Sequence, residues 1–272
     1  MGTVAFPEHL VMIGCDNMAG SILARWLESG LDPARVMVVD PGIPLVKAGV
    51  TVHAELPEAL PAGAVILLGI KPQLLGTVAP KLAPLLSGDK IIVSMLAGVT
   101  IDTLRDALGH GSDFIRIMPN TPVALGQGVC ALYADKQTQE RARAQVDALM
   151  QPLGLVEWMT DEAQFNLITA LTGCGPAFVF RFIDALGAAA AELGLESTQA
   201  ARLALATVQG AASLASASDR TPAALADAVA SPGGMTREGL NVMDEGGRLY
   251  SLMLDVLRAA EARGEALARG AK

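Results

Sequence analysis

Leu10-Val11-Met12-Ile13-Gly14-Cys15-Asp16-Asn17-Met18-Ala19 is the stretch whose reading decides the fold. Four apolar residues closed by a glycine read as a strand buried on both faces. An amphipathic stretch over 18–29 follows at once, so the segment predicts a strand, a tight turn and a helix start. A dinucleotide-binding turn of pattern G-x-G-x-x-G/A belongs in that setting. Gly14 and the final small residue, Ala19, match the pattern, but Asp16 takes the place of the middle glycine. Its side chain fills the room through which backbone approaches a pyrophosphate, and its charge opposes the ligand's. At ~5 Å and an effective dielectric of about 20, each such pair costs roughly 3 kcal/mol, about a hundredfold in affinity, and less where water reaches it. The context favours a cofactor site over a plain strand-turn-helix, with Gly14, Cys15, Asp16, Asn17 and Met18 forming its cradle.

Further apolar runs follow at 36–40, 50–53, 65–70, 91–96 and 114–118, with helical segments fitting at 72–86 and 100–108. Runs apolar on both faces and spaced by helices predict a buried parallel sheet in a doubly wound α/β domain. A strand at 128–134, a helix at 136–150 and a strand at 155–159 complete this half. Three of the runs end in polar punctuation, on the carboxyl edge where such sheets bind ligands. Asp40 is placed to hold the ribose hydroxyls of an adenosine and, by its charge, to disfavour a 2′-phosphate. The alternative for Asp40-Pro41-Gly42 is an ordinary turn. Ile70-Lys71-Pro72 ends one run and Met118-Pro119-Asn120-Thr121-Pro122 another. Asn120 has the groups to bond a carboxamide or ribose, and proline-rich punctuation explains the same residues equally well.

After 161 the pattern becomes helical throughout, at 178–193, 197–217, 223–229, 236–245 and 249–268. The segment 198–217 is almost free of charge, which predicts burial on most sides, in part against a second subunit. The expected division is a dinucleotide-binding domain at 1–161 and a helical domain at 162–272.

The chain has 272 residues, 51% of them hydrophobic and 18% charged, with a formal net charge of −8, enough for one large core or two modest ones. An acidic balance without a basic cluster argues against nucleic acid. The longest uncharged run, 163–180, is interrupted by Gln, Asn, Thr, Gly and Pro, so no membrane span is expected. The first six residues lack the basic and apolar regions of a signal peptide. Cys15, Cys130 and Cys174 are scattered and odd in number, which points to a reducing compartment, and His9, His53 and His110 show no metal-ligand spacing. A soluble cytoplasmic protein without a metal centre is expected.

In the second half the chemistry gathers at Ser231-Pro232-Gly233-Gly234-Met235-Thr236-Arg237-Glu238-Gly239-Leu240. Two glycines let the backbone turn, and a threonine follows where a helix begins, beside N–H groups without helical partners. Such a place can hold a small carboxylate and offer it one hydroxyl. The alternative for Thr236 is an ordinary helix cap.

Taken with the 14–19 turn, Ile70-Lys71-Pro72, the 115–122 segment and Gly173-Cys174-Gly175-Pro176-Ala177, this loop resembles pyrroline-5-carboxylate reductase, the family that makes the last step of proline biosynthesis. The match runs nearly the whole chain in order, and 231–240 is its most specific part. The resemblance implies a Rossmann domain followed by a helical domain that dimerises, with dimers often assembled into larger rings. It implies that the Thr236 hydroxyl contacts the ring nitrogen of the substrate and acts in catalysis. Ser231, Gly233, Gly234, Met235 and Thr236 would then bind the substrate, with Asp219 near it where the family usually has glutamate. Ile70, Lys71, Pro72, Ala97 and Asn120 would face the cofactor. Cys174 replaces a common serine. The family usually prefers NADPH, whereas Asp40 leans towards NAD, so the expected cofactor is NADPH or NADH. One rival is a 3-hydroxy acid dehydrogenase of related fold, but the lysine such enzymes rely on is missing from 164–218. Another is a regulatory or scaffold protein with a decayed cofactor site. The intact 231–240 loop argues against decay.

Overall fold

The computed structural model of the chain describes residues 6–86 and 88–270. Residues 1–5, on which the expectation of no signal peptide largely rests, lie outside them. The chain up to Cys174, with the residues from Ala260 onward, forms one compact unit, and Gly175–Ala259 forms a second.

The first unit is built on eight strands: β1 (Leu10–Ile13), β2 (Val36–Val39), β3 (Thr51–His53), β4 (Val65–Leu68), β5 (Ile91–Ser94), β6 (Asp113–Pro119), β7 (Gly128–Tyr133) and β8 (Gly154–Trp158). They lie side by side in the order β3-β2-β1-β4-β5-β6-β7-β8. The order reverses between β1 and β4, and at such a switch the loops leaving the two strands part and open a crevice. Its helices are α1 (Asn17–Glu28), α2 (Leu75–Leu82), α3 (Ile101–Leu108), α4 (Glu140–Met150) and the short α5 (Phe165–Ile168). Both faces of the sheet are covered. Leu10 and Met12 of β1 pack with Trp26 of α1 and Leu149 of α4, while Val11 and Ile13 face Leu82 of α2 and Leu104 of α3. The indole N–H of Trp26, fully buried, donates to the Leu149 carbonyl at 2.7 Å.

The doubly wound sheet expected from the sequence is present, with one difference. β7 runs antiparallel to β6, and β8 is again parallel to β7. Only a 3-10 turn, Thr121–Leu125, and Gly126 at φ +66° lead from β6 to β7. That connection is too short for a crossover, so the chain reverses. The helix expected over 136–150 starts only at Glu140. Asp135 accepts from the backbone N–H groups of Gln137 and Thr138, and the Thr138 hydroxyl donates to the Phe114 carbonyl at 3.0 Å. The side-chain turn outcompetes a first helical turn there.

A close approach of backbone fixes where α1 leaves β1. Gly14 has φ +85°, and a Cβ on it would lie 2.9 Å from Ile70 Cγ2 and 3.0 Å from the Gly69 carbonyl carbon. A Cβ on Gly69 would lie 2.8 Å from both the Ala19 Cβ and the Gly14 oxygen. Neither glycine can carry a side chain, and position 19 must stay small.

The second unit contains α6 (Gly175–Glu192), α7 (Ser197–Ser216), α8 (Pro222–Ala228) and α9 (Met235–Asp244), and α10 (Arg248–Gly270) begins in it. Gly187 lets α6 and α7 touch closely, since a Cβ there would sit 3.2 Å from Ala201 Cα. Little else is hidden. α7 buries only Ala200 and Ala204 within the chain, so the burial expected on most sides would have to be completed by a second subunit. Phe180, Leu214 and Tyr250 are exposed by 63%, 62% and 73%. By length and composition alone, the helical run Glu162–Glu192 is apolar enough to cross a membrane. A π-helical turn, Thr169–Gly173, interrupts it.

Two glycine substitutions separate close approach from simple flexibility. Gly69→Ala is expected to cost about 2–4 kcal/mol in denaturant unfolding, because backbone and a fixed Cβ must yield. Gly20→Ala, inside α1 with only an ordinary 3.5 Å contact to the Cys15 oxygen, is expected to stabilise by about 0.5–1 kcal/mol.

Candidate active site

A cavity of about 900 Å³ opens at the carboxyl ends of β1, β2, β3 and β4. Of the residues singled out from the sequence, Gly14, Asp16, Asp40, Ile70 and Lys71 line it. The turn above β1 is held by Asp40, whose Oδ2 accepts from the Cys15 backbone N–H at 2.8 Å. Its Oδ1 accepts from the Gly42 N–H at 2.8 Å. Asp40 thus shapes its own turn and the turn beneath α1, while also standing on the cavity wall.

Asp16 is the N-cap of α1, with φ −81° and ψ −162°, and its side chain makes no capping bond. The backbone there is ordinary for any L-residue, so aspartate strains nothing. What remains is its bulk and its charge. Because Asp16 is exposed, water and salt screen much of its repulsion for a phosphate. The N–H groups of the first turn of α1 are left without a side-chain acceptor and carry the positive end of the helix dipole. Backbone geometry, Asp40 and the uncapped helix start therefore fit a dinucleotide; Asp16 weakens the fit without closing the site.

The other predicted cofactor residues stand elsewhere. The Cys15 side chain lies on the opposite side of α1, lining a separate apolar cavity of about 330 Å³. Burial first, then the carboxylates of Asp40 and Asp16, push its thiol up to about 11, so it is neutral at physiological pH. Asn17 is the first residue of α1, and Met18 packs against the core. Pro72 opens a 3-10 turn after β4, and Ala97 is exposed in the turn after β5. Asn120 is buried, and both ends of its amide are engaged: Oδ1 accepts from the Val129 N–H at 2.8 Å, and Nδ2 donates to the Thr172 carbonyl at 2.9 Å. One N–H and one lone pair remain to it. Glu55, Thr77 and Lys81 line the cavity and were not expected. Glu55 follows β3 as Asp40 follows β2, so the carboxyl-edge rule was enough to find it.

In the second unit, Gly234 N–H donates to the Ser231 carbonyl at 2.9 Å, closing a turn with proline second and Gly233, at φ +69°, third. That is what a type II turn demands. Gly234 is then the N-cap of α9, and a Cβ on it would lie 2.5 Å from Ser231 Oγ. Thr236 is therefore the second helical residue, not the cap, and no side chain caps α9 at all. The exposed Thr236 hydroxyl and the bare N–H groups sit together at the positive end of a ten-residue helix. Arg237 anchors this end to α8 through Asp227 at 2.8 Å. Asp219 is exposed in the turn between α7 and α8. Among the described residues, no group of three or more His, Cys, Asp and Glu side chains is placed to hold a metal ion.

Residues 162–267 match the family model "Pyrroline-5-carboxylate reductase dimerisation", and residues 9–98 match "NADP oxidoreductase coenzyme F420-dependent". A pyrroline-5-carboxylate reductase of Pseudomonas aeruginosa is 34% identical over 265 residues, covering 96% of this chain and 97% of that protein. The chain belongs to the pyrroline-5-carboxylate reductase family. The reductase of Pisum sativum is 37% identical over 257 residues, 93% of each chain. The solved structure of a family member from Coxiella burnetii superposes with a TM-score of 0.88 at 33% identity, covering 96% of this chain and 98% of that one.

If Asp16 only crowds and repels, Asp16→Gly should tighten NADH or NADPH binding by about tenfold in a fluorescence titration. Glycine is nearly as good an N-cap, so α1 should not suffer. Equal or weaker binding by the variant would remove Asp16 as the site's defect.

Proposed function

We propose that this protein reduces 1-pyrroline-5-carboxylate to proline, taking a hydride from NAD(P)H. In a chain of this family, the observation that carries the reading is the start of α9: uncapped N–H groups behind a rigid glycine turn, with the Thr236 hydroxyl among them. A five-membered cyclic imine with a carboxylate needs a grip on the carboxylate and a hydrogen-bonding group at nitrogen. The turn of Ser231, Gly233 and Gly234 with the Met235 and Thr236 N–H groups supplies the first. The Thr236 hydroxyl supplies the second, and Asp219, where the family usually has a glutamate, is assigned to the substrate's surroundings.

When bound, the nicotinamide donates the hydride that reduces the C=N carbon. Gly14, Asp16, Asn17, Asp40, Ile70, Lys71, Pro72, Ala97 and Asn120 form or support its site in this reading, with Cys15 and Met18 fixing the turn. An imine nitrogen is basic enough to arrive protonated or to take a proton through its hydrogen bond, so no histidine acid is required. Thr236 orients that nitrogen and stabilises it as its charge changes on reduction. We assign 1–161 to cofactor binding and 162–272 to substrate binding and dimerisation. The exposed apolar residues of α6, α7 and α10 have the character of a homodimer interface, which dispenses with lipid as their cover and leaves a ring of dimers open to further contacts. Three free cysteines and an acidic surface suit the cytoplasm and offer nothing to nucleic acid.

A steady-state assay on pyrroline-5-carboxylate with each nucleotide tests the activity. Thr236→Ala is expected to lose about 1–3 kcal/mol of transition-state stabilisation, read as kcat/KM, with Thr236→Ser recovering most of it. Wild-type turnover by Thr236→Ala would take the catalytic role away from this residue.

A further inference from the structure

We propose that Asp40, backed by Asp16 and Glu55, makes this chain select NADH over NADPH. The inference rests on reading the 900 Å³ cavity as the cofactor site. Charge on that cavity is divided by strand. Asp16 follows β1, Asp40 ends β2 and Glu55 follows β3, whereas the cations on the wall, Lys71 and Lys81, belong to the end of β4 and to α2. In the sheet order β3-β2-β1-β4 the three carboxylates occupy one side of the switch and both ammonium groups the other.

A dinucleotide whose pyrophosphate lies at the start of α1 sets its adenosine ribose at the end of β2. The carboxylate waiting there cannot easily swing away. Its two oxygens are pinned by the Cys15 and Gly42 N–H groups, each at 2.8 Å. Each oxygen keeps a spare lone pair, so the pair of them matches the two O–H donors of a ribose diol. A 2′-phosphate replaces one donor with acceptors alone and brings a charge of about −1.5 to −2. The two lysines of this cavity, Lys71 and Lys81, belong to the β4 side of the switch rather than to the end of β2. Residues 41–46 carry no basic side chain, and Lys47 lines the separate cavity beyond α1.

Titration of the full-length protein with NADH and with NADPH, followed calorimetrically, tests it without recourse to turnover. At low ionic strength NADH should bind about tenfold tighter or more. The ratio should narrow as salt rises, because screening relieves only the nucleotide carrying the extra phosphate. Asp40→Asn should narrow it too. Glu55→Gln, which disturbs neither bond to the turn, should do so by a smaller factor and serves if Asp40→Asn does not fold. Equal or tighter binding of NADPH to the wild type, or a ratio that salt and Glu55→Gln leave unchanged, overturns the inference while the cavity stays a cofactor site. Binding of neither nucleotide overturns both.

Discussion

Everything functional in the first unit depends on three positions that tolerate almost no side chain. Gly14, Gly69 and Ala19 bring the carboxyl ends of β1 and β4 and the first turn of α1 into direct backbone contact. The contact sits where the strand order reverses, so the loops on either side diverge and leave the large cavity between them. α1 leaves directly from this contact, and its N-cap, Asp16, lines that cavity. Asp40 then fastens the turn from the side by accepting the Cys15 N–H. One steric constraint therefore sets the position of the helix dipole, and one hydrogen bond fixes a carboxylate on the cavity wall.

At the far side of the sheet a different interaction holds the start of the helical region. Arg116 of β6 is buried, and its Nη1 meets Glu162 Oε1 at 2.8 Å. The same oxygen accepts from the Ile101 N–H at 2.8 Å, and the guanidinium lies 4.3 Å from the Phe165 ring centroid. Burial lowers the Arg116 pKa, and the hydrogen bond and charge of Glu162 oppose that shift. A buried pair of this kind gains little net stability over an apolar replacement, but leaving either partner alone is costly. Its consequence here is positional: Glu162 joins β6, α3 and the chain entering α5 at one point.

The parts of the fold that were legible in the sequence are those where one physical cause dominates. The six inner strands were readable because strands covered on both faces must be apolar at nearly every position, whereas β3 and β8, without a fully buried residue, were readable only as short apolar runs. The direction of β7 was not, since such a strand looks the same whichever way it runs, and only the short connection through Gly126 decides. The late start of α4 was hidden because Asp135 and Thr138 satisfy the backbone locally, a competition that helical periodicity does not register. α5 and the π-turn after it fell in an apolar run without a clear helical face. At the site, the glycine turn running into a helix at 231–240 was legible, but the place of Thr236 one residue inside that helix was not. That depends on Gly234 taking the cap position, where a Cβ would press on Ser231 Oγ.

Glycine meets two separate needs in a phosphate-binding turn, and this chain keeps them apart. At Gly14 the need is conformational, because φ +85° excludes ordinary residues, and the glycine is kept. At Asp16 the need is only room and neutrality, because φ −81° suits any residue. The side chain there is exposed on the cavity wall, and the turn forms without help from it. Asp16 then adds its charge to the side of the cavity already occupied by Asp40 and Glu55, away from Lys71 and Lys81. A ligand with one phosphate fewer loses least on that side. The departure at 16 and the aspartate at 40 are thus two expressions of the same electrostatic asymmetry, and the switch between β1 and β4 is where it changes sign.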